Sequence, residues 1–220
     1  GEFVAAHLAG VIGLDDVLRL VAAGGRLKGE VPGGVMLPVP MPEAELRPMI
    51  TPGLWISAVN GPSLTVVSGA RETIDDLAER VRAQGTEPRP LHSSHAFHSG
   101  MMDGAVGPLV DLAKTIELNA PKIPYISNVT GTWITDDQAR DPEYWGRHLR
   151  QAVRFADGVA ELFKDQTRMF LELGPGNVLC SLIRYQARTP GSVTAVSTLR
   201  QAQEQTSDEA VLLTALGRLW

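Results

Sequence analysis

The 220-residue chain is poor in the residues that build cross-links and cationic surfaces. Its one cysteine, Cys180, excludes an internal disulfide and a cysteine-based zinc cage. The formal net charge is −5 and there is no basic run, which disfavours binding to nucleic acid or to an anionic membrane surface. No apolar stretch reaches the roughly 20 residues that span a bilayer, and no signal peptide is recognisable. These absences lead us to expect a cytoplasmic protein with no metal, no nucleic acid and no membrane among its partners.

The remaining composition is that of a globular domain. Hydrophobic residues make up 44% of the chain and charged residues 20%. Near the start, Val11, Leu14, Leu18 and Val21 recur at helical spacing and predict a helix with that face towards the core. This helix runs into the pair Gly24-Gly25, which is also typical of a helix C-cap.

Residues 35–91 have the pattern of a small α+β subdomain. The pattern predicts strands over 34–39, 55–59, 64–68 and 87–91, with a turn at 60–63 and helices starting near 42 and 74. That βαββαβ order is ferredoxin-like. Further along, 123–129 and 169–173 are predicted as strands, and Asp141-Pro142 as the start of a helix.

Three of the five histidines, His92, His95 and His98, fall within seven residues. Histidine can take and return a proton near neutral pH, so this cluster is a candidate for a general base. The alternative is a loop with surface histidines and no chemistry.

Several spaced motifs resemble the acyltransferase domains of modular type I polyketide synthases, which are relatives of the malonyl-CoA:acyl-carrier-protein transacylases. The motifs are Gly1-Glu2 as the end of G-H-S-x-G-E, H-A-F-H-S at 95–99, S-N-V-T-G at 127–131, Y-W-G-R-H-L-R-Q-A-V-R-F at 144–155 and F-L-E-L-G-P-G at 170–176. The resemblance implies an α/β fold. It comprises an α/β-hydrolase-like core from 1–34 and 92–220, with the ferredoxin-like subdomain 35–91 inserted. It also implies a nucleophilic serine two residues before Gly1.

The implied reaction is ping-pong acyl transfer from acyl-CoA, through an acyl-serine, to the phosphopantetheine thiol of an acyl carrier protein. The resemblance makes His98 the general base, oriented by a main-chain carbonyl near His148. It places His95, Phe97, Asn60 and His148 near the substrate. No cofactor is expected to be bound, and the implied partners are the carrier protein and neighbouring synthase domains, namely a ketosynthase and its linker.

One position departs from the family pattern. The family usually has A-R-G-R here, and its first arginine, which holds the carboxylate of a malonyl-type unit, falls on Gly24. Glycine offers no guanidinium for a bidentate pair, so we expect a non-carboxylated acyl group such as acetyl, or an otherwise unusual one. The H-A-F-H letters usually accompany malonyl selection instead, with Phe97 filling the space of an α-methyl group. A malonyl-specific extender enzyme, a hydrolase that edits mis-acylated carrier proteins, and a non-catalytic docking domain are the alternatives.

Overall fold

The computed structural model describes residues 1–88, 90–91, 93–187, 189 and 191–220. These form two compact units, Gly1–Gly158 and Val159–Trp220. Helices and parallel and antiparallel strands occur together, as predicted for an α/β protein. No helix among the described residues is long and apolar enough to cross a membrane.

The helices are α1 Glu2–Leu8, α2 Leu14–Glu30, α3 Glu43–Leu46, α4 Arg71–Arg82, α5 Asp103–Ala113, α6 Asp136–Arg140, α7 Pro142–Arg150, α8 Phe155–Leu162, α9 Val178–Gln186 and α10 Asp208–Leu219. The strands are β1 Val35–Val39, β2 Leu54–Gly61, β3 Leu64–Gly69, β4 Phe170–Pro175 and β5 Ala195–Leu199. Two short 3-10 turns lie at Arg47–Met49 and Gly100–Met102.

The first three strands form an antiparallel sheet in the order β1-β3-β2, with its own buried cluster drawn from residues 35–81. The predicted strands over 34–39, 55–59 and 64–68 are confirmed as β1, β2 and β3, with β1 starting one residue later than predicted, and the two helices are confirmed as α3 and α4. The predicted strand over 87–91 is wrong for the described residues there, and Arg89 lies outside them. The Leu91 N–H donates a backbone hydrogen bond to the Met36 carbonyl, at 2.9 Å. The ferredoxin-like boundaries remain a prediction, which the separate apolar cluster supports.

A second buried cluster joins α1, α2, α5 and α7. The prediction for α2 was wrong in two respects. Its buried stripe is Val17, Leu20 and Gly24, whereas Leu14, Leu18 and Val21 are each at least half exposed. Both stripes have helical spacing, so the periodicity alone could not choose between them. The helix also continues to Glu30, so Gly24-Gly25 is not its C-cap.

The predicted strand over 123–129 is wrong. That segment is not a strand, and only an isolated bridge joins Ile126 to Trp133. Helix α7 begins as predicted, with Pro142 at its first position and the Asp141 carboxylate accepting from the Glu143 N–H at 2.9 Å. In the second unit, β4 and β5 pair in parallel, and α9 and α10 contact β5.

Candidate active site

The loop that carries the histidines is held by hydrogen bonds to the antiparallel sheet. The Ser68 hydroxyl, on β3, donates to the Phe97 carbonyl at 3.0 Å. The Gly34 N–H, just before β1, donates to the Ser94 carbonyl at 3.2 Å. Gly34 is required by close approach, because an added Cβ would lie 2.7 Å from the Ala96 Cβ. The sheet therefore fixes the backbone on the N-terminal side of His98.

His98 itself has φ of 55°, and it is the one non-glycine residue in the described chain with a positive φ. The left-handed region costs free energy for a residue with a Cβ, so it persists where the surroundings determine it. On its C-terminal side, Ser99 is buried and caps the turn Gly100–Met102 by accepting from the Met101 N–H at 3.2 Å. The His98 imidazole is therefore carried by a loop whose backbone is held on both sides of this residue.

Burial sets the electrostatics of His98. Nδ1 is buried and makes no hydrogen bond of normal geometry to the residues that the structure describes. Removal from water lowers the pKa of His98 to about 4, and the electrostatic interactions with His148 and Lys28 act in the same direction. The backbone carbonyls of Gln151 and His148 oppose this shift. The neutral imidazole, which is the form that accepts a proton, is therefore favoured at neutral pH.

His148, on α7, lies next to His98. The ring centroids are 6.3 Å apart and the planes nearly perpendicular, at 87°. The ring of Phe3 meets His148 edge-on at 5.3 Å, and His148 Nε2 lies 3.3 Å from Glu2 Oε2. These contacts fix both the ring and the α7 C-terminal turn whose carbonyls face His98.

Glu2 is a buried acidic residue beside His148 that the sequence analysis did not single out. Its side chain is only 1% exposed, yet it carries a carboxylate. Oε2 accepts from the Asn128 N–H at 2.8 Å, Oε1 accepts from the Tyr144 hydroxyl, and Tyr144 also contacts the Ser127 hydroxyl at 2.6 Å. Burial and the nearby Glu2 carboxylate raise the pKa of Tyr144. The signal was present in the sequence, because Glu2 is the last letter of the first motif.

Two positions of α2, Gly24 and Lys28, lie one helical turn apart. Gly24 is buried, and an added Cβ would meet only Leu109 Cδ1, at an ordinary contact distance of 3.9 Å. One turn later, Lys28 is half-buried with Nζ 5.6 Å from the centroid of the Phe97 ring. Lys28 was also missed, although its four-residue spacing from Gly24 places the two on one helix face.

The other predicted site residues on the loop and the sheet are His95 and Asn60. The His95 ring lies 5.9 Å from that of Phe97, with Nδ1 2.8 Å from the Ser94 hydroxyl. Asn60 belongs to β2 and not to the predicted turn, which is only Pro62 and Ser63. His92 lies outside the described residues. Within the described chain, no group of three His, Cys, Asp or Glu side chains is arranged to hold a metal ion.

Comparison with known proteins identifies the family. A family profile described as "Acyl transferase domain" matches residues 1–217. The chain is 42% identical over 202 residues to mycoketide-CoA synthase of Mycobacterium tuberculosis, covering 91% of this chain and 5% of that protein. The chain belongs to the acyl transferase domain family and has the α/β fold of its solved members.

Two solved structures supply the fold comparison. The acyl transferase domain of SpnD in complex with 2-(pent-4-yn-1-yl)malonyl matches with a TM-score of 0.94 and 39% identity, over 100% of this chain and 53% of that one. A type II polyketide synthase acyl carrier protein in complex with its malonyl-transacylase matches with a TM-score of 0.84 and 25% identity, over 99% of this chain and 70% of that one. The chain thus spans about half the length of the SpnD domain.

Proposed function

We propose that this chain is the histidine-bearing part of an acyltransferase domain of a polyketide synthase. The domain would move an acyl group from acyl-CoA to the phosphopantetheine thiol of an acyl carrier protein. The observation that carries the proposal is the half-buried His98 imidazole on a constrained loop, with its pKa lowered so that the neutral form is favoured, in a chain of the acyl transferase domain family.

His98 is the proposed general base. With Nδ1 buried, we assign the proton exchange to Nε2. In the first half-reaction, Nε2 takes the proton of the serine that the family motif places two residues before Gly1. The serine oxygen then bonds to the thioester carbonyl carbon, the carbon–sulfur bond breaks, and His98 returns the proton to the CoA sulfur.

The second half-reaction reverses these roles. His98 takes the proton of the phosphopantetheine thiol, whose sulfur attacks the acyl-serine, and the serine oxygen leaves with that proton. The negative charge of the tetrahedral intermediate requires backbone N–H donors of the oxyanion-hole type. Other residues of this chain position His98: the His148 ring packs edge-on against it, and the backbone carbonyls of His148 and Gln151 interact with its imidazole. No cofactor takes part in these steps.

An acyl carrier protein is the proposed partner, since the malonyl-transacylase structure that this chain resembles contains one. Neighbouring synthase domains, a ketosynthase and its linker, are also proposed partners, since this chain covers only 5% of the length of mycoketide-CoA synthase.

Two classes of acyl group fit this mechanism. Gly24 favours a group without a free carboxylate, such as acetyl, because it cannot supply a guanidinium. Phe97 and His95 favour malonyl, and the malonyl derivative bound to the SpnD domain is an acyl group of that class. Lys28, whose ammonium lies over the Phe97 ring, bears on the choice between these two classes.

The test uses the intact synthase domain, including the residues before Gly1, and intact-mass spectrometry. Incubation with acetyl-, propionyl-, malonyl- and methylmalonyl-CoA is expected to give a single acyl adduct, which persists until a holo acyl carrier protein removes it. His98→Gln is expected to slow loading by about 10²-fold or more. An adduct that decays in water before carrier protein is added would favour the editing hydrolase, and no adduct with any acyl-CoA would overturn the proposal.

A further inference from the structure

Lys28 is a half-buried cation that has no anionic partner among the residues that the structure describes. Its Nζ lies over the face of the Phe97 ring, 5.6 Å from the centroid, in the range of a cation–π contact. No carboxylate oxygen of the described residues lies within 4 Å of this ammonium, whereas Arg19 on the same helix pairs with Asp16 at 2.8 Å. A partly desolvated ammonium gains most from an anion that binds beside it.

Lys28 lies one helical turn after Gly24, where the side chain is missing. Residues four apart on a helix are neighbours, with Cβ atoms about 5–6 Å apart. A Cβ added to Gly24 would meet only Leu109 within 4 Å, so the Lys28 side chain does not occupy that space in this structure, and its Nζ lies over Phe97 instead. Side chains of a helix lean towards its N-terminus, so extension of the Lys28 stem along α2 would carry the ammonium towards the turn that contains Gly24.

The same ammonium lies within electrostatic range of the proposed base. Its positive charge contributes to lowering the pKa of His98, although less than burial and the electrostatic interaction with His148 do. Phe97, which Lys28 covers, directly precedes His98 and is anchored through its carbonyl by Ser68. An anion beside Lys28 would therefore lie close to the reacting acyl group.

We propose that Lys28 is the specificity-determining residue that binds the free carboxylate of a dicarboxylic acyl group, in place of a side chain at residue 24. This inference rests on the proposed acyl-transfer function and deepens it, because it selects a malonyl-type substrate from the two classes. An ammonium is a compact charge on a flexible stem and lacks the bidentate geometry of a guanidinium. Lys28 thus selects the charge of the acyl group, and its Phe97 contact sets where that charge sits.

The experiment compares loading of the intact domain with malonyl-CoA and with acetyl-CoA. The wild-type domain is expected to prefer malonyl. In Lys28→Met, which keeps an apolar stem and removes the charge, the ratio of malonyl to acetyl kcat/KM is expected to fall by about 10- to 100-fold, the range of a lost charge-assisted hydrogen bond. Lys28→Arg is expected to retain most of the preference, since it restores a cation.

The matched control is Arg26→Met, which removes a cation two residues away on an exposed part of α2 and is expected to leave the ratio unchanged. Thermal unfolding of each variant shows whether it is folded, and the arginine variant tests the role if the methionine variant is not. A malonyl-to-acetyl ratio that is unchanged in Lys28→Met, or a wild-type domain loaded only by acetyl, would overturn the role of Lys28 while acyl transfer stands. Failure of every acyl-CoA to load the wild-type domain would overturn acyl transfer itself, and the role of Lys28 with it.

Discussion

The imidazole of His148 stands edge-on to the imidazole of His98, with ring centroids 6.3 Å apart. His148 is in turn held by Glu2, a carboxylate from the first turn of α1. His98, the proposed base, thus lies next to the C-terminal turn of α7 and, through His148, near a buried carboxylate. The surroundings of the proposed base therefore come from residues far apart in sequence.

The depressed pKa of His98 predicts a specific pH dependence. Because the folded protein keeps this imidazole neutral down to about pH 4 while the unfolded chain binds a proton near pH 6.5, the folded state is favoured above pH 6.5. As pH falls from 6.5 to 4, the free energy of unfolding of the wild-type domain should fall by about 3 kcal/mol more than that of the His98→Gln variant. Urea unfolding of both proteins between pH 7 and pH 4 measures this difference.

The same shift predicts the pH profile of loading. The acidic limb of kcat/KM should lie near pH 4 to 5, since the base is already neutral there. A limb near pH 6.5, the ordinary value for histidine, would contradict the burial of His98.

Ser68→Ala tests the anchor of the histidine loop. It removes the hydroxyl that donates to the Phe97 carbonyl, at an expected cost of about 1 kcal/mol in the free energy of unfolding, and it should slow loading several-fold because the loop shifts. Ser57→Ala is the matched control: Ser57 is also buried in this sheet and donates to the Val66 carbonyl at 3.1 Å, away from the loop. Equal loss of loading rate in both variants would contradict a specific role for Ser68.

Glu2→Ala tests the buried carboxylate. The change strands the Asn128 N–H and removes an acceptor from Tyr144, so we expect a loss of about 3 kcal/mol in the free energy of unfolding. Glu2→Gln keeps one acceptor oxygen and should cost less, about 1 kcal/mol. Urea unfolding of the intact domain compares them, and equal losses would mean that packing volume, and not hydrogen bonding, sets the role of Glu2.

Gly100→Ala tests the contact between the histidine loop and β2. An added Cβ would lie 2.5 Å from Trp55 Cζ2, so the indole must move, at an expected cost of about 1–3 kcal/mol. Gly107→Ala, on α5 where no atom lies within 4 Å of an added Cβ, should instead stabilise the helix by about 0.5–1 kcal/mol. Thermal unfolding separates the two, and a stabilised Gly100→Ala variant would contradict the close packing of Trp55.

Much of the fold was accessible from local pattern. Alternation of apolar residues located β1, β2 and β3, and Asp141 with Pro142 located the start of α7, because these signals act over a few residues. The exposed stripe of α2 and the missing strand at 123–129 were not accessible, because both depend on what packs against the segment.

The sequence by itself determined the family, the α/β elements and the identity of the histidine proposed as the base, since these follow from motifs and short-range periodicity. Only the tertiary structure determined which polar and charged groups lie near His98 and its neighbours. Glu2 and His148 are 146 residues apart in number yet 3.3 Å apart in space, and Lys28 reaches Phe97 from another helix. The reason is physical: local propensity acts along the chain, whereas burial and Coulomb interactions depend on distances that only the packed core sets.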